Sequence, residues 1–439
     1  MGTTLIEHGT VIDGTGTDPV PDTAVLIDGD EITALGADAV ASAPADAHPI
    51  DATGLTVMPG LIDAHCHATF DDVQSNDELF FHREPVRTTL LAAFNMPKFL
   101  MAGVTSIMDP DTAHGMGPAL RDAIEAGVVE GPRMATGVQA LLTSVGGTAG
   151  RLIPDDGQVG YAQVVNTRDE MVTWTRRHIK QGADWIKIHA TGSIPTRPGE
   201  LQVWSFEELK AVCDTAHELE VPVTAHCRNA SSTLDSARAG VDLILHGSFM
   251  DEPALDAVVE AGAAICPTFT FLANLADYGP AVGAGVGMRD IFRGEIEATA
   301  AIMRKAFDLG VPLLCGSESG FALTPYGHWH ARELEVFVRD LQLTPLEAIT
   351  CATANNAMAM RLEGRLGTIE TGRLADAIVV DGDPSTDVTV LQDRSNLRHV
   401  ISRGVPVDLD RPWPSRDRMA GEKVANWADA VLTWDRAKQ

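Results

Sequence analysis

Apolar and polar positions change rhythm twice along the chain. Over residues 1–58 the apolar residues gather in short β-rich runs, Thr4–Ile12 and Thr23–Ile27, broken by the turn pairs Asp13-Gly14 and Asp28-Gly29. The same texture returns at Asp376–Asp381, followed by Gly382-Asp383-Pro384, and at His399–Val407. These runs predict strands. Their presence at both ends predicts one small β-sandwich assembled from the two termini, with two unrelated hairpins as the alternative. Between the ends, apolar runs of strand length alternate with stretches of helical spacing. The runs are Gly60–His67, Val104–Asp109, Arg133–Val138, Asp184–Thr191, Val221–His226, Val241–His246, Ala263–Pro267 and Val311–Gly316. Ser205–Glu220 is one of the helices: Ser205 and Glu208 make a capping box, and Pro222 stands just past the end.

Strand–helix alternation calls for parallel strands joined by helical crossovers, an α/β fold. Eight such strands over about 250 residues fit a (β/α)8 TIM barrel. A doubly wound open sheet is the other solution, but no G-x-G-x-x-G follows the early strands. The expected division is 1–58 for the first part of the sandwich, 59–362 for the barrel, 363–410 for the second part, and 411–439 for a helical tail. In that tail Val424, Trp427, Val431 and Trp434 fall at helical spacing, as a packing or subunit-contact face of a homo-oligomer. The glycine-rich stretches Gly146–Gly150 and Gly279–Gly287 read as loops.

Composition narrows the partners. The chain has 439 residues, 33 basic and 61 acidic, for a net charge of −28. Such a field repels phosphate backbones and anionic lipid, so neither nucleic acid nor a membrane surface is expected as a partner. No apolar run approaches the ~18 residues of a membrane span. The N-terminal residues show no basic stretch followed by an apolar one. The six cysteines (66, 213, 227, 266, 315, 351) form no CxxC, so reduced thiols in a cytoplasm are expected.

The chemistry gathers at strand ends. Pro59–His67 ends in His65-Cys66-His67, and residues i and i+2 of a strand share a face, so two imidazoles are presented together. Imidazole suits zinc and similar divalent ions. Val221–His226 and Val241–His246 also end in histidine, and Val311–Gly316 runs on to Glu318. In a barrel these ends meet at one rim, where barrel enzymes keep their chemistry. Lys187 lies inside an apolar strand and shares its inner face with His189. A buried, unpaired ammonium costs several kcal/mol. Lys187 is therefore either salt-bridged or a neutral amine that takes up CO2 as a carbamate able to bridge two metal ions.

Further candidates lie around this set. His189, Arg228, Tyr161 and His328 are substrate-contact candidates; Arg151 follows the third strand as Tyr161 does, and His330 follows His328 closely. For His328 and His330 a helix-start role competes with the pocket wall. Asp109-Pro110-Asp111 offers two carboxylates, but Asp-Pro-Asp reads more simply as a loop opening.

The order H-x-H, Lys, His, His, acid on successive strands resembles the amidohydrolase superfamily, in its binuclear metal-dependent branch of prolidase- and dipeptidase-like enzymes. The likeness covers nearly the whole chain, including Val11–Gly16, Leu120–Gly127 and Leu366–Asp376. It implies two divalent ions, zinc first among them, with His65 and His67 on one, His226 and His246 on the other, and a CO2-derived carbamate on Lys187 between them. Glu318 stands where the family carries its catalytic aspartate and is expected to ligate metal and move protons.

Three departures bear on the substrate. Gly316-Ser317-Glu318-Ser319-Gly320 carries glutamate for aspartate. Gly146-Gly147 is followed by Thr148-Ala149, where dipeptidase-like relatives often place a histidine. Arg228 stands where relatives often have an aromatic residue. The expected activity is hydrolysis of an amide-like C–N bond (amide, urea or carbamate) in a small molecule, by a water shared between the two ions. A metallo-dipeptidase of the Xaa-Pro type is the alternative. A deaminase or imidazolone hydrolase would normally use one metal and no lysine, and a non-catalytic scaffold would tend to lose ligands.

Overall fold

The structure, a computed structural model, describes residues 2–75, 78–79, 84–147, 154–155, 158–193, 199–283, 287–417 and 430–438. Strands from both ends of the chain lie in one mixed sheet of eight. Its path runs Val405–Pro406, Leu397–Ser402, Ala377–Val380, Thr56–Pro59, Thr3–Val11, Val20–Asp28, Glu31–Leu35, with His48–Asp51 beside Thr3–Val11. The seam between the ends is antiparallel, from Ala377 opposite Pro59 to Val380 opposite Thr56. Alternation places Ile6, Val25, Ile27, Val57, Val379 and Ile401 in one buried cluster.

Thr56–Pro59 leads through Gly60 into Leu61–Asp63, the first strand of the middle region. Leu61–Asp63, Val104–Asp109 and Arg133–Thr136 pair in parallel. Ala140–Leu142, Ile186–His189, Val223–Cys227, Leu243–His246 and Ala264–Cys266 form a second parallel succession. Helices Pro85–Leu100, Gly117–Glu125, Arg168–Lys180, Phe206–His217, Ala230–Ala239 and Glu252–Ala261 separate these strands in sequence. The capping box at Ser205 and Glu208 starts Phe206–His217.

Two connections join the parallel sheets. On one side Asp184 N donates to Thr136 O at 2.8 Å. On the other, Ile265 N donates to Pro312 O (3.0 Å), Leu314 N to Ile265 O (2.8 Å) and Ala64 N to Cys315 O (2.9 Å). The expected strand Val311–Gly316 is thus reduced to a single bridge between Leu313 and Ile265. Pro312 gives a carbonyl but has no N–H to extend the ladder.

The tail also differs from its expectation. Among the described residues of 411–439 only Trp434–Ala437 is helical. Leu432 is buried and accepts the Trp329 indole N–H at 2.7 Å, while Val424 and Trp427 lie outside the described residues. No helix of the described residues is long and apolar enough to cross a membrane.

Candidate metal centre

The ends of these strands deliver their side chains into one cavity of about 500 Å³. His65, His67, Lys187, His189, His226, His246 and Glu318 all line it, and so do Tyr161 and Arg228. Strand register does much of the assembly: His189 lies opposite His226, and Cys227 opposite His246. Ring centroids are 5.2 Å apart for His65 and His67, 5.4 Å for His65 and His246, and 4.6 Å for His226 and His246. His189 stacks on His226 at 4.6 Å. The backbone is strained at this rim. His246, Thr268 and Glu318 have φ of 68°, 57° and 54°, the left-handed region that non-glycine residues seldom occupy. Gly316 lets the last segment press against His65: a Cβ there would lie 2.6 Å from the His65 Cβ and 2.7 Å from Cys266 Sγ.

His65, His226 and His189 each engage one ring nitrogen in a hydrogen bond on the outer side, and His67 Nδ1 lies beside Asp111 without an aligned hydrogen bond. The Thr268 hydroxyl donates to Cys266 O (3.1 Å) and so accepts from His65 Nδ1 (3.0 Å). His226 Nε2 is 2.7 Å from Glu200 Oε2, which also accepts from the Thr191 hydroxyl. His67 Nδ1 is 3.0 Å from Asp111 Oδ1, and Asp111 Oδ2 is 3.2 Å from His189 Nε2. Outer partners of this kind fix the tautomer and turn the other nitrogen inward. Behind the site, Asp63 accepts from His65 N (3.2 Å), Ser317 N (3.0 Å), the Ser317 hydroxyl (2.5 Å) and His330 Nδ1 (2.7 Å). That one carboxylate ties the first strand's end to the segment carrying Glu318.

Burial sets the protonation states. It pushes His65 and His246 well below the ordinary imidazole value, and the neighbouring cationic groups add to it. His189 falls to about 3 for the same reason, against the pull of Asp111. Burial likewise lowers the Lys187 ammonium, and Asp111 and Glu318 only partly oppose it. Lys187 is 1% exposed, and its Nζ makes no hydrogen bond or ion pair among the described residues. Burial works against ionising Asp111, but Lys187 and His67 outweigh it and hold that carboxyl well below its usual range. Asp109 goes the other way, raised by burial and by Asp111. Burial raises Glu318 too, opposed by His67, His226 and Arg228.

The donor chemistry fits divalent cations. His65, His246 and Glu318 bring ligand atoms within 4.8 Å of one another, and His67, Asp109 and Asp111 do the same. His246 Nε2, His67 Nδ1, Asp109 Oδ1 and Asp111 Oδ1 are buried without an aligned hydrogen-bond partner. The grouping separates His65 from His67, which the resemblance puts on one ion.

Other expectations need correction. His328 does not line the cavity: its ring packs against Trp413 at 5.6 Å, and the Trp434 amide approaches its Nδ1. His330 belongs to the Asp63 network rather than to a pocket wall. Asp111 is no plain loop opening; it is buried in the site and touches two of its histidines. Asp109 and Asp111 obey the same i, i+2 spacing at a strand end as His65 and His67, and that was the available signal. A Cβ on Gly137 would come within 1.8 Å of Pro110 O, so glycine lets the Asp-Pro-Asp turn pack inward. Glu200 was missed because it comes from a short hairpin, Thr191–Ser193 with Glu200–Gln202. Arg151 lies outside the described residues.

A profile of the amidohydrolase family matches residues 56–407, and the chain belongs to that family. It is a hydrolase acting on carbon–nitrogen bonds. It is similar to the ochratoxinase of Aspergillus niger, 27% identical over 433 residues that cover 91% of this chain and 86% of the relative. A solved Xaa-Pro dipeptidase with methionine in its active site is 29% identical, covers 92% of this chain and 99% of its own, and superposes with a TM-score of 0.81. Molinate hydrolase, at 22% identity, 95% and 98% coverage and a TM-score of 0.75, shares the fold. These neighbours imply an α/β fold of the TIM-barrel type.

Proposed function

We propose that this chain is a binuclear metallohydrolase cleaving an amide-like C–N bond (amide, urea or carbamate) in a non-peptide small molecule. In this reading the two parallel sheets are the arcs of one (β/α)8 barrel over residues 59–362. Residues 1–58 and 363–410 form the β-module beside it, and 411–439 its tail. The observation that carries the reading is Lys187: a buried amine with no ion pair among the described residues, in a cavity lined by five histidines, Asp111 and Glu318. Burial favours its neutral form, the form that reacts with CO2, and a carbamate replaces a stranded cation by an anion with two oxygens.

His65, His67, His226, His246 and the Lys187 carbamate hold the ions, zinc foremost. Bound there, divalent ions lower the pKa of a water from 15.7 toward ~7 and polarise the scissile carbonyl. Thr268 and Glu200 leave His65 Nε2 and His226 Nδ1 free to ligate. Glu318 takes the proton of the attacking water and returns it to the leaving nitrogen, a task suited to a carboxyl raised by burial. His189 and Tyr161 lie where they would touch bound substrate.

The test is elemental analysis of the purified chain, then turnover of dipeptides, N-acyl amino acids, anilides, phenylureas and carbamates after metal loading. Two ions per chain and release of amine from a non-peptide substrate are expected. Hydrolysis of Xaa-Pro dipeptides alone would assign the activity of the solved dipeptidase instead. One ion with deamination would overturn the reading.

A further inference from the structure

The cavity has two unlike halves. Its floor is the histidine, lysine and carboxylate set. Much of the rest is built by helix Phe269–Tyr278, which contributes Phe271 and Leu275, by helix Met288–Asp308, which contributes Met288 and Phe292, and by Phe321 and Leu323 after the Glu318 turn, with Tyr161 and Arg228 as its polar members. None of the six apolar side chains carries a hydroxyl, amide or charged group. The apolar half starts at the floor itself: Phe321 is 5.6 Å from the His67 ring and 5.5 Å from Phe271. Leu275 and Leu323 also belong to a buried cluster with Val282, Trp329 and Leu432, so this wall is backed by packed side chains and preformed.

The charge at the edge of this wall is engaged. Arg228 donates through Nε (3.2 Å) and Nη2 (2.6 Å) to Glu295, and its Nη1 is 3.4 Å from Glu200. Glu295 is itself buried and accepts from the Ser248 hydroxyl. A carboxylate placed on the apolar wall would therefore meet one guanidinium already facing two carboxylates.

We propose that this half of the cavity is a substituent pocket for an uncharged, bulky apolar group, aryl or branched alkyl, attached directly to one side of the scissile bond. The inference rests on the hydrolase reading and specifies its substrate class. A cavity of about 500 Å³ holds such a group together with the reacting bond. Against this wall the desolvation of a carboxylate is offset only by Arg228, a guanidinium already facing Glu295 and Glu200.

The test uses the metal-loaded enzyme and two series of anilides. One lengthens the acyl chain (acetyl, butanoyl, hexanoyl); the other lengthens a 4-alkyl group on the aniline. Each has a counterpart of equal length ending in carboxylate. On one of the two sides kcat/KM should rise about fourfold per added methylene until the pocket is filled. The carboxylate counterpart on that side should fall at least about a hundredfold. Phe292 is only partly buried, and Phe292→Arg should shrink that discrimination tenfold or more with metal content unchanged. Preference for acetanilide, or equal turnover of the carboxylate-ended compound, overturns the pocket while leaving the hydrolase reading intact. If no anilide turns over, calorimetric binding to the metal-loaded chain still decides. Hexananilide should bind at least tenfold more tightly than the carboxylate-ended analogue, and equal or weaker binding overturns the pocket.

Discussion

The terminal sheet and the floor of the cavity are both buried, yet by opposite chemistry. The sheet hides Ile6, Val25, Val57 and Val379, whose burial stabilises the fold in proportion to the apolar area removed from water. The floor hides Lys187, His65, His246 and Asp111, whose burial costs stability unless each group is paired, neutralised or ligated. The left-handed His246, Thr268 and Glu318 all sit at the floor, and the terminal sheet has left-handed residues of its own in His8, Asp22 and Arg403. Stability and chemistry are thus kept in separate places, and substitutions should separate them as well.

The largest expected effect is at the floor. Lys187→Ala removes the amine and with it the proposed carbamate. Turnover should drop on the order of a thousandfold or more, and bound metal should fall. The metal-free variant should melt no lower than the metal-free parent, because a stranded buried ammonium has been removed. Formate or acetate, small enough for the vacated space, should restore part of the metal content and activity. Elemental analysis and thermal melts read these outcomes, and two ions retained with full turnover would remove the carbamate from the account.

At the sheet the pattern should invert. Ile6 is fully buried, and Ile6→Ala should cost about 2–5 kcal/mol by lost burial and the cavity left behind. Below the melting transition, metal content and kcat should match the parent. A loss of metal without a loss of stability would show that the sheet and the floor are coupled.

The same contrast decides what could be read from the sequence. Strand periodicity places a side chain on a face, so His65, His67, Lys187, His226 and His246 were legible, as were most strands and the capping box of Phe206–His217. The joining of both ends was legible because β-rich runs recur there, and the seam at Ala377 and Pro59 is where they meet. Glu200, Thr268 and the packing of Asp111 were not. They come from turns and hairpins, where direction is set by distant contacts such as that between Gly137 and Pro110 and no period repeats. His328 misled for the same reason: it follows the segment Val311–Gly316 in sequence, but the turn directs it to Trp413.

A third buried setting, away from both regions, gives the smallest effect and one with a defined sign. His178, in helix Arg168–Lys180, is buried against Trp174, and neither ring nitrogen has a hydrogen-bond partner. Burial lowers it from 6.5 to about 4. As pH falls below 6.5 the unfolded chain takes up this proton first and the folded chain does so only near 4. Its stabilising share is therefore complete above 6.5 and is lost progressively down to 4. At pH 5.5 the loss relative to neutral pH is about 1 kcal/mol. His178→Leu keeps the apolar packing and removes the titration, so its stability should fall less than the parent's between pH 7 and 5.5. Chemical denaturation at the two pH values measures the difference. Because His178 lies outside the cavity lining, metal content should be the same in variant and parent. An unchanged pH slope would mean that the folded chain protonates His178 as readily as the unfolded one does, and burial would then not be what governs this imidazole.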